Sequence, residues 1–212
     1  MIKVTVTSLC AKSAGEEMDI TFIVSDGGNN RERSTFTVSS RQFLTLGVSK
    51  GETDTDMFDA VSHAAEVWSA TKKGMTLLGY GAASEKALCI KLTAKGFSRE
   101  VAGEAVENLV LLGLINAAED ATELARKLVS KLWGKKRIAS GLYEKGYASE
   151  DVTVAMNALD DMGIDFAENC RLLVEKRYGD VPRDPNGRRR LYAALARYGY
   201  SSAEIREALT VK

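Results

Sequence analysis

The sequence predicts a mainly α fold: three tandem three-helix repeats forming an elongated, curved body, preceded by a small antiparallel β region at the N-terminus. Two observations predict it. Apolar residues alternate with period two as far as Leu46 and recur with helical period from Asp56 to the end, and a glycine-centred motif occurs three times within the helical part.

The strands come first. Lys3 to Thr7, Asp19 to Ser25 and Ser34 to Val38 are β-branched and aromatic at alternate positions. Asp26-Gly-Gly-Asn-Asn30 is rich in residues that tolerate positive φ, so it should join the second and third strands as a hairpin loop longer than two residues. Ser39 or Ser40 is placed to cap a short helix through Leu46, and the stretch from Gly47 to Asp56 reads as a boundary. Residues 1 to 52 are therefore expected to form a small strand-bearing domain of three strands.

Helices are predicted near 57–79, 84–95, 99–112, 117–132, 135–145, 149–161, 165–177, 186–198 and 202–210. Three of them end alike. Leu88, Leu92, Gly96 and Phe97 match Ile138, Leu142, Gly146 and Tyr147, and match Leu191, Leu195, Gly199 and Tyr200. Each copy has apolar residues eight and four before a glycine and an aromatic after it. That spacing puts the apolar pair on one helix face, the glycine where a helix end favours φ > 0, and the aromatic where it packs back. Tyr80-Gly81, Trp133-Gly134 and Tyr178-Gly179 are expected to close the helix before each hairpin. The repeats then span 57 to 112, 117 to 161 and 165 to 210. A unit of this size buries little apolar surface alone, so the units should stack and present a long face rather than a deep pocket.

Composition excludes several classes of function. With 45% apolar residues and 29 basic against 29 acidic side chains, the chain is globular rather than disordered. Three scattered cysteines, Cys10, Cys89 and Cys170, make neither a disulfide framework nor a four-cysteine zinc site, and fit a reducing cytoplasmic setting. No apolar run approaches the roughly 20 residues of a membrane span, and the start of the chain does not read as a secretion signal. The single histidine, His63, reads as a polar position on an amphipathic helix. Asp160, Asp161 and Asp165 lack calcium-loop spacing, and Gly79-Tyr-Gly81 is no phosphate-binding loop. No catalytic constellation, cofactor or metal site is expected.

Four stretches together resemble a known family. They are Lys91-Leu-Thr-Ala-Lys-Gly-Phe-Ser98, the junction Leu112-Gly-Leu-Ile-Asn116, Trp133-Gly-Lys-Lys-Arg-Ile138, and Arg188-Arg-Arg-Leu191 through Gly199-Tyr-Ser-Ser202. They resemble the RecX family of recombination regulators over residues 57 to 210. At the junction, Asn116-Ala-Ala-Glu-Asp-Ala departs from the acidic and Phe-Ala pattern usual there. The resemblance implies an all-α tandem-repeat regulator that binds the RecA recombinase, lies in the groove of its nucleoprotein filament and limits its activity. It implies no membrane, and a monomer is expected.

Charge is segmented although the total is zero. Residues 1–125 carry net −5, 126–145 net +6, 146–170 net −6 and 171–212 net +5. The clusters Lys135-Lys136-Arg137 and Arg188-Arg189-Arg190 are expected to start equivalent helices of the second and third repeats. Cations at a helix start oppose the helix dipole, which invites an anionic partner. With Lys91, Lys95 and Lys145, these residues are the expected surface for the filament, and weak contact with single- or double-stranded DNA is also expected. The rival reading is a sequence-independent nucleic-acid-binding helical module. Trp133, Tyr147, Tyr178 and Tyr200 are expected to serve packing rather than base stacking.

Overall fold

In the computed structural model, which describes residues 2–26, 31–179 and 181–210, the alternating segments pair as β1 (Lys3–Lys12), β2 (Glu17–Ser25) and β3 (Arg31–Ser39). A fourth strand, β4 (Gly51–Thr53), pairs antiparallel with β1 and gives the order β3-β2-β1-β4, so the sheet has four strands rather than the three expected. Gly51-Glu-Thr is too short to show alternation, so the sequence pattern there gives only a boundary. β1 also runs five residues further than its alternating part. A bulge between Val6 and Ser8 breaks the period, and afterwards Leu9 faces the same core as Val4 and Val6. Residues 27–30 of the expected hairpin loop lie outside the described residues; β2 and β3 on either side of it pair antiparallel as expected.

One face of the sheet is covered by helices. Ser39 caps α1 (Ser40–Leu46) in a reciprocal box with Gln42, and the Gln42 amide donates to the Ala64 carbonyl at 3.0 Å. Ala64 lies in α2 (Thr55–Leu78), which starts at the Asp54 cap. Phe58 of α2 meets Phe22 and Phe36 edge to face, with centroids 5.2 and 5.3 Å away. Glu17 of β2 accepts from the Trp68 indole at 2.8 Å and from Lys72 at 2.7 Å, fixing the far end of α2 to the sheet.

The helical part continues as α3 (Glu85–Thr93), α4 (Arg99–Leu111), α5 (Ala117–Val129), α6 (Lys135–Glu144), α7 (Ser149–Asp161), α8 (Phe166–Tyr178), α9 (Pro185–Arg197) and α10 (Ser202–Thr210). In each set of three the first helix packs on the third: α2 on α4, α5 on α7, α8 on α10. The chain divides into two compact units, one running to Tyr80 and resuming at Leu88–Leu114, the other made of Gly81–Ala87 and the residues from Ile115 onward. In the first unit Gly74 allows the closest approach of α2 to α4, since a Cβ there would lie 2.5 Å from the Leu109 side chain, and His63 joins Glu104 at 2.8 Å between the same helices.

The repeat motif has one physical form in all three copies. Leu88, Leu92, Ile138, Leu142, Leu191 and Leu195 are all buried. Gly96, Gly146 and Gly199 have φ of 100°, 87° and 93°. The amides of Phe97, Tyr147 and Tyr200 return to the carbonyls of Leu92, Leu142 and Leu195 at 3.2–3.4 Å, closing the same left-handed helix stop three times. The following helices start differently: Ser98 caps α4, Asp151 accepts the Ala148 amide before α7, and Ser201 and Glu204 cap α10 reciprocally.

Trp133-Gly134 departs from its expected role. The left-handed residue after α5 is Leu132, with φ 58°, and the Tyr200 hydroxyl donates to its carbonyl at 2.8 Å. Gly134 instead caps α6 and lies against Gly199. Its amide donates to the Tyr198 carbonyl at 2.8 Å, and the Lys136 amide donates to the Gly199 carbonyl at 3.1 Å. A Cβ on Gly134 would come 2.4 Å from the Gly199 carbonyl carbon, and one on Gly199 would come 2.4 Å from the Arg137 amide nitrogen. The core beside this contact runs continuously from Ala121 to Ala208 and includes Cys170, whose thiol burial pushes up to about 12.

Two outcomes are expected. Gly134→Ala and Gly199→Ala should each cost on the order of 2–3 kcal/mol in denaturant unfolding, because backbone rather than a flexible side chain blocks the methyl, with Gly199→Ala the worse for its positive φ. Asp19 lies 2.7 Å from Lys12 and 2.6 Å from the Thr37 hydroxyl, partners that hold its carboxyl below the ordinary 3.8. A lowered carboxylate stabilises the fold above its unfolded value and loses that contribution as pH falls through the folded one. The stability gap between the parent chain and Asp19→Asn should therefore be open at neutral pH and close as pH drops below 3.8.

Candidate functional site

The basic residues singled out by sequence fall in both units. Lys91, in the last turn of α3, and Lys95, just after it, are exposed in the first unit; Lys145 and both triads belong to the second. Lys145 sits at the C-terminal end of α6, where a cation complements the helix dipole.

Lys135, Lys136 and Arg137 form the first turn of α6, and they behave differently. Lys135 pairs with Asp160 of α7 and lies 5.4 Å from the Phe166 ring centre. Lys136 is exposed. Arg137 is partly buried, its guanidinium 4.0 Å from the Trp133 ring centre and 4.8 Å from that of Tyr198. The unfavourable dipole of cations at a helix start is met inside the chain. The carbonyls of Tyr198 and Gly199, at the negative end of α9, point at the first amides of α6.

The arginine triad needs a correction. Arg188, Arg189 and Arg190 lie eleven, ten and nine residues before Gly199, as Lys135, Lys136 and Arg137 lie before Gly146. They do not start α9. Asp184 caps that helix by accepting the Gly187 amide at 2.7 Å and Pro185 opens it, so the triad sits one turn inside. All three arginines are exposed, and Arg188 donates to the Pro182 carbonyl at 3.0 Å. The acids flanking the second unit's bases have structural work of their own: Asp165 caps α8 through the Ala167 and Glu168 amides.

Sequence reading missed one feature. Beside Arg137 a concavity of about 560 Å³ opens between the end of α5, the start of α6, the end of α8 and the end of α9. It is lined by Lys131, Arg137, Lys176 and Arg177, by Trp133 and Tyr198 and, among the described residues, by no carboxylate. Arg177 donates to the Tyr198 hydroxyl and its guanidinium lies 5.3 Å from the Tyr198 ring centre. Its members come from two repeats, and nothing local in the chain pairs residue 137 with residue 198.

This arrangement of three similar helical sets can be compared with known proteins. A family model described as RecX, third three-helix domain, matches residues 164–209, the interval of α8 to α10. Regulatory protein RecX of Stenotrophomonas maltophilia strain R551-3 is 35% identical over 126 residues, covering 59% of this chain and 76% of that protein. The chain belongs to the RecX family. Regulatory protein RecX of Caldanaerobacter subterraneus subsp. tengcongensis is 27% identical over 143 residues, 67% of this chain and 72% of its own. In fold, a crystal structure of regulatory protein RecX superposes with a TM-score of 0.72 at 20% identity, over 96% of this chain and 97% of that one. RecX from Lactobacillus salivarius does so with 0.58 at 24% identity, over 69% and 96%. A RecX regulatory role follows for this chain. Among its described residues no helix is long and apolar enough to cross a membrane.

Removing the stacked guanidinium should be measurable. Arg137→Ala should cost about 1 kcal/mol in denaturant unfolding and change the emission of Trp133 when read in a Trp68→Phe background, and Arg137→Lys should recover only part of each effect.

Proposed function

We propose that this RecX-family regulator acts without catalysis, by binding the RecA nucleoprotein filament and limiting its ATP hydrolysis and strand exchange. The observation that carries the reading is the pair of basic triads, at the same distances before the glycine that closes α6 and α9. Lys136, Arg189 and Arg190 are exposed and, among the described residues, none of them pairs with a carboxylate. They are available for a long anionic partner, with Arg188, Lys145, Lys91 and Lys95 as further exposed cations. Two separated anchors would bridge neighbouring protomers of a filament and hold them in a state unfit for exchange.

On this reading the chain has four working parts, a strand-bearing segment over 1–52 and three helical ones over 57–112, 117–161 and 165–210. It works as a monomer in the cytoplasm and needs no cofactor, metal or membrane.

Replacing Lys135, Lys136 and Arg137, and Arg188, Arg189 and Arg190, with alanine should weaken retention on RecA filaments and relieve suppression of ATP hydrolysis. Unchanged retention and suppression would refute the anchoring. The parent chain should bind naked DNA weakly and the filament strongly. Tight binding to naked DNA that loses about 0.9 in log–log salt slope per phosphate contact removed would instead mark a nucleic-acid-binding module.

A further inference from the structure

We infer that the concavity between Trp133 and Tyr198 is a binding site for an acidic peptide segment, one whose closely spaced aspartate or glutamate side chains are gripped by Arg137, Arg177, Lys131 and Lys176. Four cations line about 560 Å³ of open space and, among the described residues, no carboxylate lines it. None of the four appears in an ion pair among the described residues. Like charges held this close repel one another, and an incoming anion relieves that repulsion.

The chemistry of the grip follows from the stacking. The Arg137 guanidinium lies over two rings, 4.0 Å from the Trp133 centre and 4.8 Å from that of Tyr198, contacts that hold it in place through its π face and leave its N–H groups as donors. A guanidinium held in this way matches a carboxylate with two parallel hydrogen bonds, which a lysine cannot do. Lys131 and Lys176, both exposed on the rim, add charge without fixed geometry.

Two observations favour a peptide over a nucleic acid. The Tyr198 ring is flanked by two guanidiniums and Trp133 is engaged by Arg137, so the aromatics that would stack bases are already occupied. Several of the neighbouring bases are already engaged by carboxylates, which interrupts a stripe that could track a phosphate backbone. Arg126 and Lys127 pair with Glu123, and Lys135 pairs with Asp160. What is left is a localised anion site.

The test is fluorescence anisotropy of the full chain titrated against labelled hexaglutamate and, separately, labelled oligodeoxythymidylate of similar length. The inference expects hexaglutamate to bind, with affinity falling at least about tenfold in Arg137→Gln and in the rim variant Lys131→Glu/Lys176→Glu. Arg137→Lys should lose most of that affinity, Lys73→Glu on α2 none, and any oligonucleotide binding should be insensitive to these changes. The rim variant alters exposed side chains only, so it keeps the experiment decisive if Arg137→Gln folds poorly. No binding of hexaglutamate, binding indifferent to the rim variant, or oligonucleotide binding that collapses with it would each overturn the proposal. No recombinase is present in the assay, so its failure and that of the filament reading are separable.

Discussion

The backbone contact between Gly134 and Gly199 is the constraint on which the second half of this molecule depends. Two chain segments some sixty residues apart approach so closely that neither can carry a Cβ, and the gap is closed by two amide-to-carbonyl hydrogen bonds. Because the amides belong to the start of α6 and the carbonyls to the end of α9, groups that each helix would leave unpaired satisfy one another. The second and third helical sets are thereby fused: one core runs beneath both, and Tyr200 reaches from one to hold the strained Leu132 of the other. Loss of either glycine would be felt in two repeats at once.

The same contact organises the charge. The turn that brings Gly199 to α6 also brings Tyr198 to Arg137, and Tyr198 in turn engages Arg177 of α8. An ordinary helix start with three cations would be a site of mutual repulsion. Here one cation is neutralised by Asp160, one is stacked and one is left to solvent. The basic surface of the second unit is thus built rather than merely accumulated, and it includes an arginine positioned by aromatic rings from two repeats.

What was readable in the sequence was local and periodic. The glycine stops at residues 96, 146 and 199 could be read because the φ they adopt is one that glycine reaches freely, and because the leucines eight and four positions earlier share a helix face. Helix limits followed from the same signs. The failures have physical causes. β4 is too short to show a period, a bulge hides half of β1, and Leu132 takes a left-handed conformation that its side chain disfavours and that Tyr200 holds from 68 residues away. For α9 the limits near 186–198 agree with the helix found to within a residue, and the Asp184-Pro185 start places the arginines one turn inside it rather than at its beginning. The cradle around Arg137 could not be foreseen, since its parts meet only through the Gly134 and Gly199 contact.

The order of the sheet has a further consequence. β3 ends the sheet, with no strand on its outer side among the described residues, yet it begins with Arg31, Glu32 and Arg33, all exposed. Charged side chains on an outer strand make it a poor template for a stranger's strand. The sheet is thereby kept from extending, edge to edge, into an assembly of copies of this chain.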